Sequence, residues 1–227
     1  MIAAEPARWD AQAERYDSSY DDPGRRGGLV RARLAAALEL LGEGRGRVLD
    51  AGMGGGRLVE ALAAVGWTVT GTDVSEAMVE LARKRNPSLS DSLLVAPVEG
   101  LPFEAESFDA VTALGVLEFA GDVDAALAEL ARVLRQDGVA VVSWPNFGGL
   151  YTAWRGGVLY RLARALGRPA PPPARNRLLA PQFEAHLRAA GLQPERQVFL
   201  SPSGRTLSAA VGRLLAAQIV FSARKAP

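Results

Sequence analysis

Two carboxylates and a run of glycines are the residues of this 227-residue chain whose types and spacing most clearly suit chemistry. Asp50 opens the run Asp50-Ala51-Gly52-Met53-Gly54-Gly55-Gly56, and Asp73 stands 23 positions after Asp50. Glycines let a backbone take positive φ and pass close to a ligand. A helix starting just after them presents unpaired N–H groups. A carboxylate closing the next strand can accept hydrogen bonds from both hydroxyls of a ribose. Together these residues suit the holding of a nucleotide; the alternative is a glycine-rich turn followed by a helix-capping aspartate. The dinucleotide fingerprint Gly-x-Gly-x-x-Gly fails, because its sixth position, counted from Gly52, is Arg57.

Such residues work only if strands and helices hold them in place. Apolar runs predict strands at 48–49, 67–72, 93–96, 108–114 and 139–144. Helical spacing predicts helices over 56–65, from the cap Ser75 to Asn86-Pro87, and from the cap Asp122 to Asp137-Gly138. Strands alternating with helices in this way indicate βαβ units in an α/β fold. The expected architecture is an open, mostly parallel, Rossmann-like seven-stranded sheet with helices on both faces and an antiparallel C-terminal hairpin. The hairpin strands are expected at 196–200 and 218–223, with a helix over 207–217 between them and another over 181–190 before them. One domain is expected over 1–227. It comprises a cap segment (1–45), a nucleotide-binding core (46–145), substrate-side insertions and helices (146–217) and a last strand (218–227).

The pattern Asp50-x-Gly52-x-Gly54-x-Gly56 resembles motif I of class I S-adenosylmethionine-dependent methyltransferases. The segments Glu99-Gly100-Leu101-Pro102-Phe103, Ser107-Phe108-Asp109 and Arg132-Val133-Leu134-Arg135, with Gly138, resemble further motifs of that family in order and spacing. Tyr16-Asp17 sits where many of its small-molecule members carry such a pair. The resemblance spans about residues 9–145 and implies S-adenosyl-L-methionine as the cofactor. It implies that Asp50, Ala51 and Gly52 to Gly56 line the amino-acid part, and that Asp73 binds the ribose. Val74 and Met78 would flank the adenine, and Pro97, Val98 and Glu99 would lie along its edge. Leu114 and Gly115 would approach the methionine portion. Two departures stand out: Pro97 replaces a frequent aspartate, and Met53 a frequent cysteine.

Methyl transfer is an in-line displacement, so the protein must chiefly align acceptor and methyl group and exclude water. A hydroxyl acceptor also needs a base. Tyr16 and Glu118 are the candidate catalytic residues, and Tyr16 and Tyr20 either close over the cofactor or pin a surface segment by aromatic packing. The only histidine, His186, flanks the apolar stripe of its helix and reads as a helix-surface or core-edge residue. Gly115-Val116-Leu117-Glu118-Phe119 resembles the Glu-His segment of quinone-type O-methyltransferases, which can bind a divalent ion there. With Gly115 and Phe119 at the ligand positions, no metal is expected.

The composition is that of a globular protein, 48% hydrophobic and 22% charged, with no cysteine and hence no disulfide or thiolate metal site. No apolar run reaches spanning length and no signal peptide is apparent, so a cytoplasmic enzyme is expected. Charge is divided: residues 1–150 hold 14 Lys and Arg against 23 Asp and Glu, and residues 151–227 hold 12 against 2. The basic part is either a solvated face or a surface for an anionic partner. A small-molecule acceptor is the leading reading. The alternatives are an RNA methyltransferase using the basic third, although no Asn-Pro-Pro-Tyr-type tetrapeptide follows the fourth strand, and a non-catalytic cofactor-binding regulator. Residues 150–168, aromatic, arginine-rich and without an acid, are expected to form a substrate cover, a membrane-contacting helix or scaffold.

Overall fold

The computed structural model describes residues 6–44, 46–154, 165–166 and 174–226. The strands are β1 (Arg47–Ala51), β2 (Thr68–Asp73), β3 (Leu93–Val95), β4 (Phe108–Ala113), β5 (Leu134–Pro145), β6 (Leu192–Leu200), β7 (Thr206–Leu207) and β8 (Gln218–Lys225). They form one sheet in the order β3-β2-β1-β4-β5-β8-β6-β7. Neighbours from β3 to β5 run parallel, and β8, β6 and β7 join antiparallel. The chain reverses direction across the sheet between β1 and β4, and the crevice at their carboxyl ends is where such folds bind ligands.

The helices are α1 (Pro6–Asp10), α2 (Ala13–Asp17), α3 (Arg25–Leu41), α4 (Arg57–Ala64), α5 (Glu76–Arg85), α6 (Val123–Val133), α7 (Leu150–Trp154), α8 (Ala180–Ala189) and α9 (Ala209–Leu215). Two start at the caps that the sequence announces. The Ser75 hydroxyl accepts from the Met78 N–H, and Asp122 accepts from those of Asp124 and Ala125. Adjacent strand residues serve opposite faces. Val48 packs with Leu58, Val59, Leu62, Val69 and Val79 beneath α4 and α5, whereas Leu49 joins Phe108, Leu127, Leu130, Trp144 and Phe183 beneath α6 and α8. The Trp144 and Phe183 rings stack at 4.1 Å in that second layer.

Three boundaries differ from the sequence-based expectation. The sheet has eight strands rather than seven, because Thr206–Leu207 pairs with Phe199 and Leu200 before Ser208 begins α9. The helix expected to reach Asp137-Gly138 stops at Val133, since Leu134 already pairs with Phe108. Asp137, at φ +59°, belongs to the irregular stretch of β5 that restores register at Val139. Finally, β6 begins at Leu192, tolerating Pro194 because the register shifts there.

Residues 155–164, 167 and 168, most of the 150–168 segment expected to cover the substrate or touch a membrane, lie outside the described residues. Among the described residues no helix is long and apolar enough to cross a membrane.

Candidate active site

The glycine run turns the chain from β1 into α4. Gly52 (φ +77°) and Met53 donate to the Thr72 carbonyl at 2.7 and 2.9 Å, which ties the loop to the end of β2. A Cβ on Gly52 would lie 2.1 Å from Val116 Cγ2, so no other residue fits there. Gly54 (φ +53°) donates to Asp73 Oδ2 at 2.9 Å, and its missing side chain would point toward Tyr16 and Met78, leaving a cradle open. The other Asp73 oxygen accepts from the Ser75 N–H at 2.9 Å. Burial pushes the Asp73 pKa up against the opposing effect of these amides.

A cleft of about 640 Å³, including its open mouth, lies above this loop. Of the residues singled out from the sequence, Tyr16, Gly52, Gly54, Asp73, Val74, Met78, Pro97, Val98, Glu99, Leu114 and Gly115 line it. The Glu99 carboxylate is engaged, accepting from the Gly121 N–H at 2.6 Å. Ala51, Gly56, Asp50, Met53 and Glu118 are not in its lining. Ala51 is buried in β1, and Gly56 (φ +75°) caps α4. Asp50 and Met53 instead face a second cavity of about 350 Å³, shared with Tyr16, Tyr20, Arg33 and Gly54. Ala96, Val116 and Phe119 also line the main cleft, as do Trp9 and Ala120, to which the sequence assigns no role.

Arg33 is the chief omission. It is 6% exposed and donates to the Tyr16 hydroxyl at 2.8 Å. No carboxylate pairs with it directly among the described residues. Burial works against its charge, yet Tyr16, Tyr20 and Glu118 outweigh burial and hold its pKa above the ordinary value. Val30, Arg33 and Ala37 form the buried stripe of α3, and a cation on such a stripe is the signal that could have revealed it. Gly115 (φ +76°) leaves room for it, since a Cβ there would lie 2.4 Å from the guanidinium.

Burial pushes Asp50 up to about 7, although the Thr112 hydroxyl donates to it at 2.7 Å. Glu118 is also pushed up to about 7 by burial, partly offset by Arg33. It is 5% exposed, and its Oε2 has no hydrogen-bond partner. Its carbonyl accepts from the Arg175 and Asn176 N–H groups, which pin the turn that carries it. A carboxyl with a raised folded pKa keeps a proton that the unfolded chain releases. Stability therefore falls as pH rises from the unfolded value, about 4, through the folded value near 7. Thermal melts of the ligand-free protein are expected to show a falling Tm from pH 5 to 7.5, with a shallower fall for Asp50→Asn. A wild-type Tm that rises over that interval would contradict the assignment.

His186 lies elsewhere, paired through Nδ1 with Asp124 where α8 meets α6. Among the described residues no group of three or more His, Asp or Glu is placed to hold a metal ion.

The pattern described as a methyltransferase domain matches residues 49–142. The chain is 30% identical to the demethylmenaquinone methyltransferase of Renibacterium salmoninarum, over 79% of this chain and 76% of that protein. It is 38% identical to the ubiquinone biosynthesis O-methyltransferase of Xanthomonas oryzae pv. oryzae, over 50% of this chain. The match spans about half (47%) of that relative's length. The fold resembles that of a SAM-dependent methyltransferase of Thermotoga maritima, described as a possible histamine N-methyltransferase. The TM-score is 0.72 at 21% identity, covering 97% of this chain and 100% of that one. The chain belongs to the S-adenosylmethionine-dependent methyltransferase family, whose cofactor is S-adenosylmethionine. Its residues fit that group: the cradle at Gly54 is open, Asp73 faces the cleft, and the Arg33 cation faces the second cavity, which shares Tyr16, Gly52 and Gly54 with the cleft.

Proposed function

We propose that this protein transfers a methyl group from S-adenosylmethionine to a small, uncharged, largely apolar acceptor, in the cytoplasm. The observation that carries this reading is the main cleft. Its ionisable lining residues are Tyr16, Asp73 and Glu99, and the two carboxylates are already engaged by backbone amides. The rest of the wall is apolar and includes Val116, Phe119 and Ala120, which favours an apolar ring over a charged amine. The quinone-related names of the relatives agree with such an acceptor.

Asp73 holds the ribose, Gly52 and Gly54 let the backbone approach, and Arg33 pairs with the cofactor carboxylate. When bound, the cofactor supplies a methyl group on a sulfonium. The chain's own part is then alignment, exclusion of water and handling of the acceptor proton. Tyr16 is the residue for that last task, because Arg33 donates to its oxygen while the ring lines the cleft. Glu118, buried behind Arg33, acts as a positioning residue. No metal enters this reading: the Arg33 guanidinium beside Gly115 repels a divalent cation at the position where quinone-type enzymes supply a ligand.

The basic C-terminal third gives little support to an RNA acceptor. Arg188 pairs with Glu184, Arg196 with Glu39, Arg224 with Glu195 and Lys225 with Glu106, so four of its twelve cations are matched within the chain. The test is an incubation with methyl-labelled S-adenosylmethionine and a panel of phenols, short-chain quinols, amines and structured RNA, with and without excess chelator. Methylated phenol or quinol, undiminished by chelator, is expected. Methylated RNA would favour the nucleic-acid reading, and cofactor binding without turnover on any acceptor would favour a regulator. Loss of turnover in chelator, restored by magnesium, would overturn the metal-free assignment.

A further inference from the structure

We propose that helix α1 is a clasp over the bound cofactor, with Trp9 roofing the adenine end and Asp10 latching that roof to the core. The inference rests on the reading that the main cleft holds S-adenosylmethionine, and it assigns work to two residues outside the family motifs described above.

Helix α1 has five residues and none is buried. A helix this short does not hold itself together in water, so its place depends on what it touches. It touches both rims of the cleft. On one rim, Asp10 Oδ1 accepts from the Ser75 hydroxyl at 2.6 Å and from the Ala77 N–H at 3.2 Å. That is the start of α5, where the helix dipole favours a carboxylate. On the other rim, the Trp9 ring meets Phe119 edge-on at 5.1 Å. Trp9 also lines the cleft itself, and Asp10, the next residue, is bonded at Ser75 and Ala77, between Val74 and Met78, which the functional reading assigns to the adenine. The indole therefore sits at the mouth, edge-on to Phe119 and, at 6.4 Å, to Tyr16, while the neighbouring Asp10 carboxylate ties α1 to α5.

Ser75 links the latch to the ligand site. Its hydroxyl donates to Asp10 while its N–H donates to Asp73 Oδ1 at 2.9 Å. The rest of the cap has separate anchors. Asp17 pairs with Arg85 at 2.7 Å and with Arg57 at 3.4 Å, and Asp21 pairs with Arg57 at 2.6 Å. Burial raises the Asp17 pKa, but the Arg85 and Arg57 guanidiniums outweigh it and hold the carboxyl below its ordinary value. Helix α2 and Tyr16 thus stay docked when α1 lifts, with the turn at Ala11 and Gln12 as the hinge. A base beneath the indole leaves only after the Asp10 bonds break, so the clasp governs release of the cofactor more than its capture.

The test uses radiolabelled S-adenosylhomocysteine, chased from the full-length protein with unlabelled compound. Asp10→Ala is expected to speed dissociation about 10-fold, the loss of a charge-assisted hydrogen bond appearing mainly in the off-rate. Association should stay within about 2-fold, as is usual among variants of one site. Asp10→Asn should restore much of the retention, because its amide oxygen still accepts from Ser75. Trp9→Ala should release the probe as fast as Asp10→Ala, and Trp9→Phe more slowly. Wild-type release rates in both alanine variants would overturn the clasp and leave the functional reading intact. Failure of the wild-type protein to bind the probe would overturn both.

Discussion

Replacing Arg33 with methionine is expected to weaken S-adenosylhomocysteine binding by about 100-fold or more, since a broken buried charge pair costs about 3–5 kcal/mol. The side chain is 6% exposed and lies among Tyr16, Tyr20, Asp50 and Glu118. Two opposing effects bear on the folded protein. Removing the guanidinium relieves its own desolvation, while Asp50 and Glu118 lose the positive charge that lowers their pKa values. Both carboxyls already sit near 7 and would move higher. Below that range they are neutral and the loss is small; above it they must ionise without a cation nearby. Destabilisation by Arg33→Met should therefore be slight at pH 5.5 and grow toward pH 8. Arg33→Lys should rescue stability better than affinity, because an ammonium lacks the planar fork that grips a carboxylate. Calorimetry at pH 7.5 is the measurement, and affinity within threefold of wild type in a folded Arg33→Met protein would remove Arg33 from the site.

The contrast between Arg33 and the glycine loop shows what the sequence makes legible. The loop and Asp73 are legible because their chemistry is local: one turn needs consecutive glycines, and one strand end needs a carboxylate. Val74 and Pro97 to Glu99 follow from them, since they continue strands that end at the cleft, and Met78 lies in the first turn of the helix after β2. Trp9 and Asp10 come from the cap, whose packing onto α5 leaves no short-range pattern, and Arg33 shows only as a cation on the apolar stripe of α3. Glu118 shows a different limit. Its neighbourhood resembles a known segment, yet the positive φ of Gly115 and the bonds from Arg175 and Asn176 fix a turn in which its side chain is buried away from the main cleft. In the fold, the errors fall where a motif has two structural uses. Asp137-Gly138 reads as a helix stop and serves as an irregularity in β5. Thr206–Leu207 is too short to show alternation, so the helical spacing that follows absorbed its second residue.

Asp73→Ala is expected to lower cofactor affinity about 10- to 100-fold, the range for losing charge-assisted hydrogen bonds to a ribose. The structure adds a second contribution that sequence reasoning did not contain. Both Asp73 oxygens organise the site before any ligand arrives, one holding the Gly54 N–H and the other the Ser75 N–H. The alanine variant therefore leaves two amides without their acceptor and frees the loop whose conformation the ligand needs. Asparagine separates the two contributions. Its single oxygen satisfies one of the amides, while its NH2 group turns a donor toward the other and meets it donor to donor. If preorganisation matters, Asp73→Asn should bind nearly as poorly as Asp73→Ala despite its matching shape. If the ribose bonds alone matter, asparagine should recover a good part of the affinity, since an amide still offers one acceptor and one donor to a pair of hydroxyls. Calorimetric titration of both folded variants with S-adenosylhomocysteine distinguishes these outcomes, and unchanged affinity in Asp73→Ala would contradict the placement of the ribose at the end of β2.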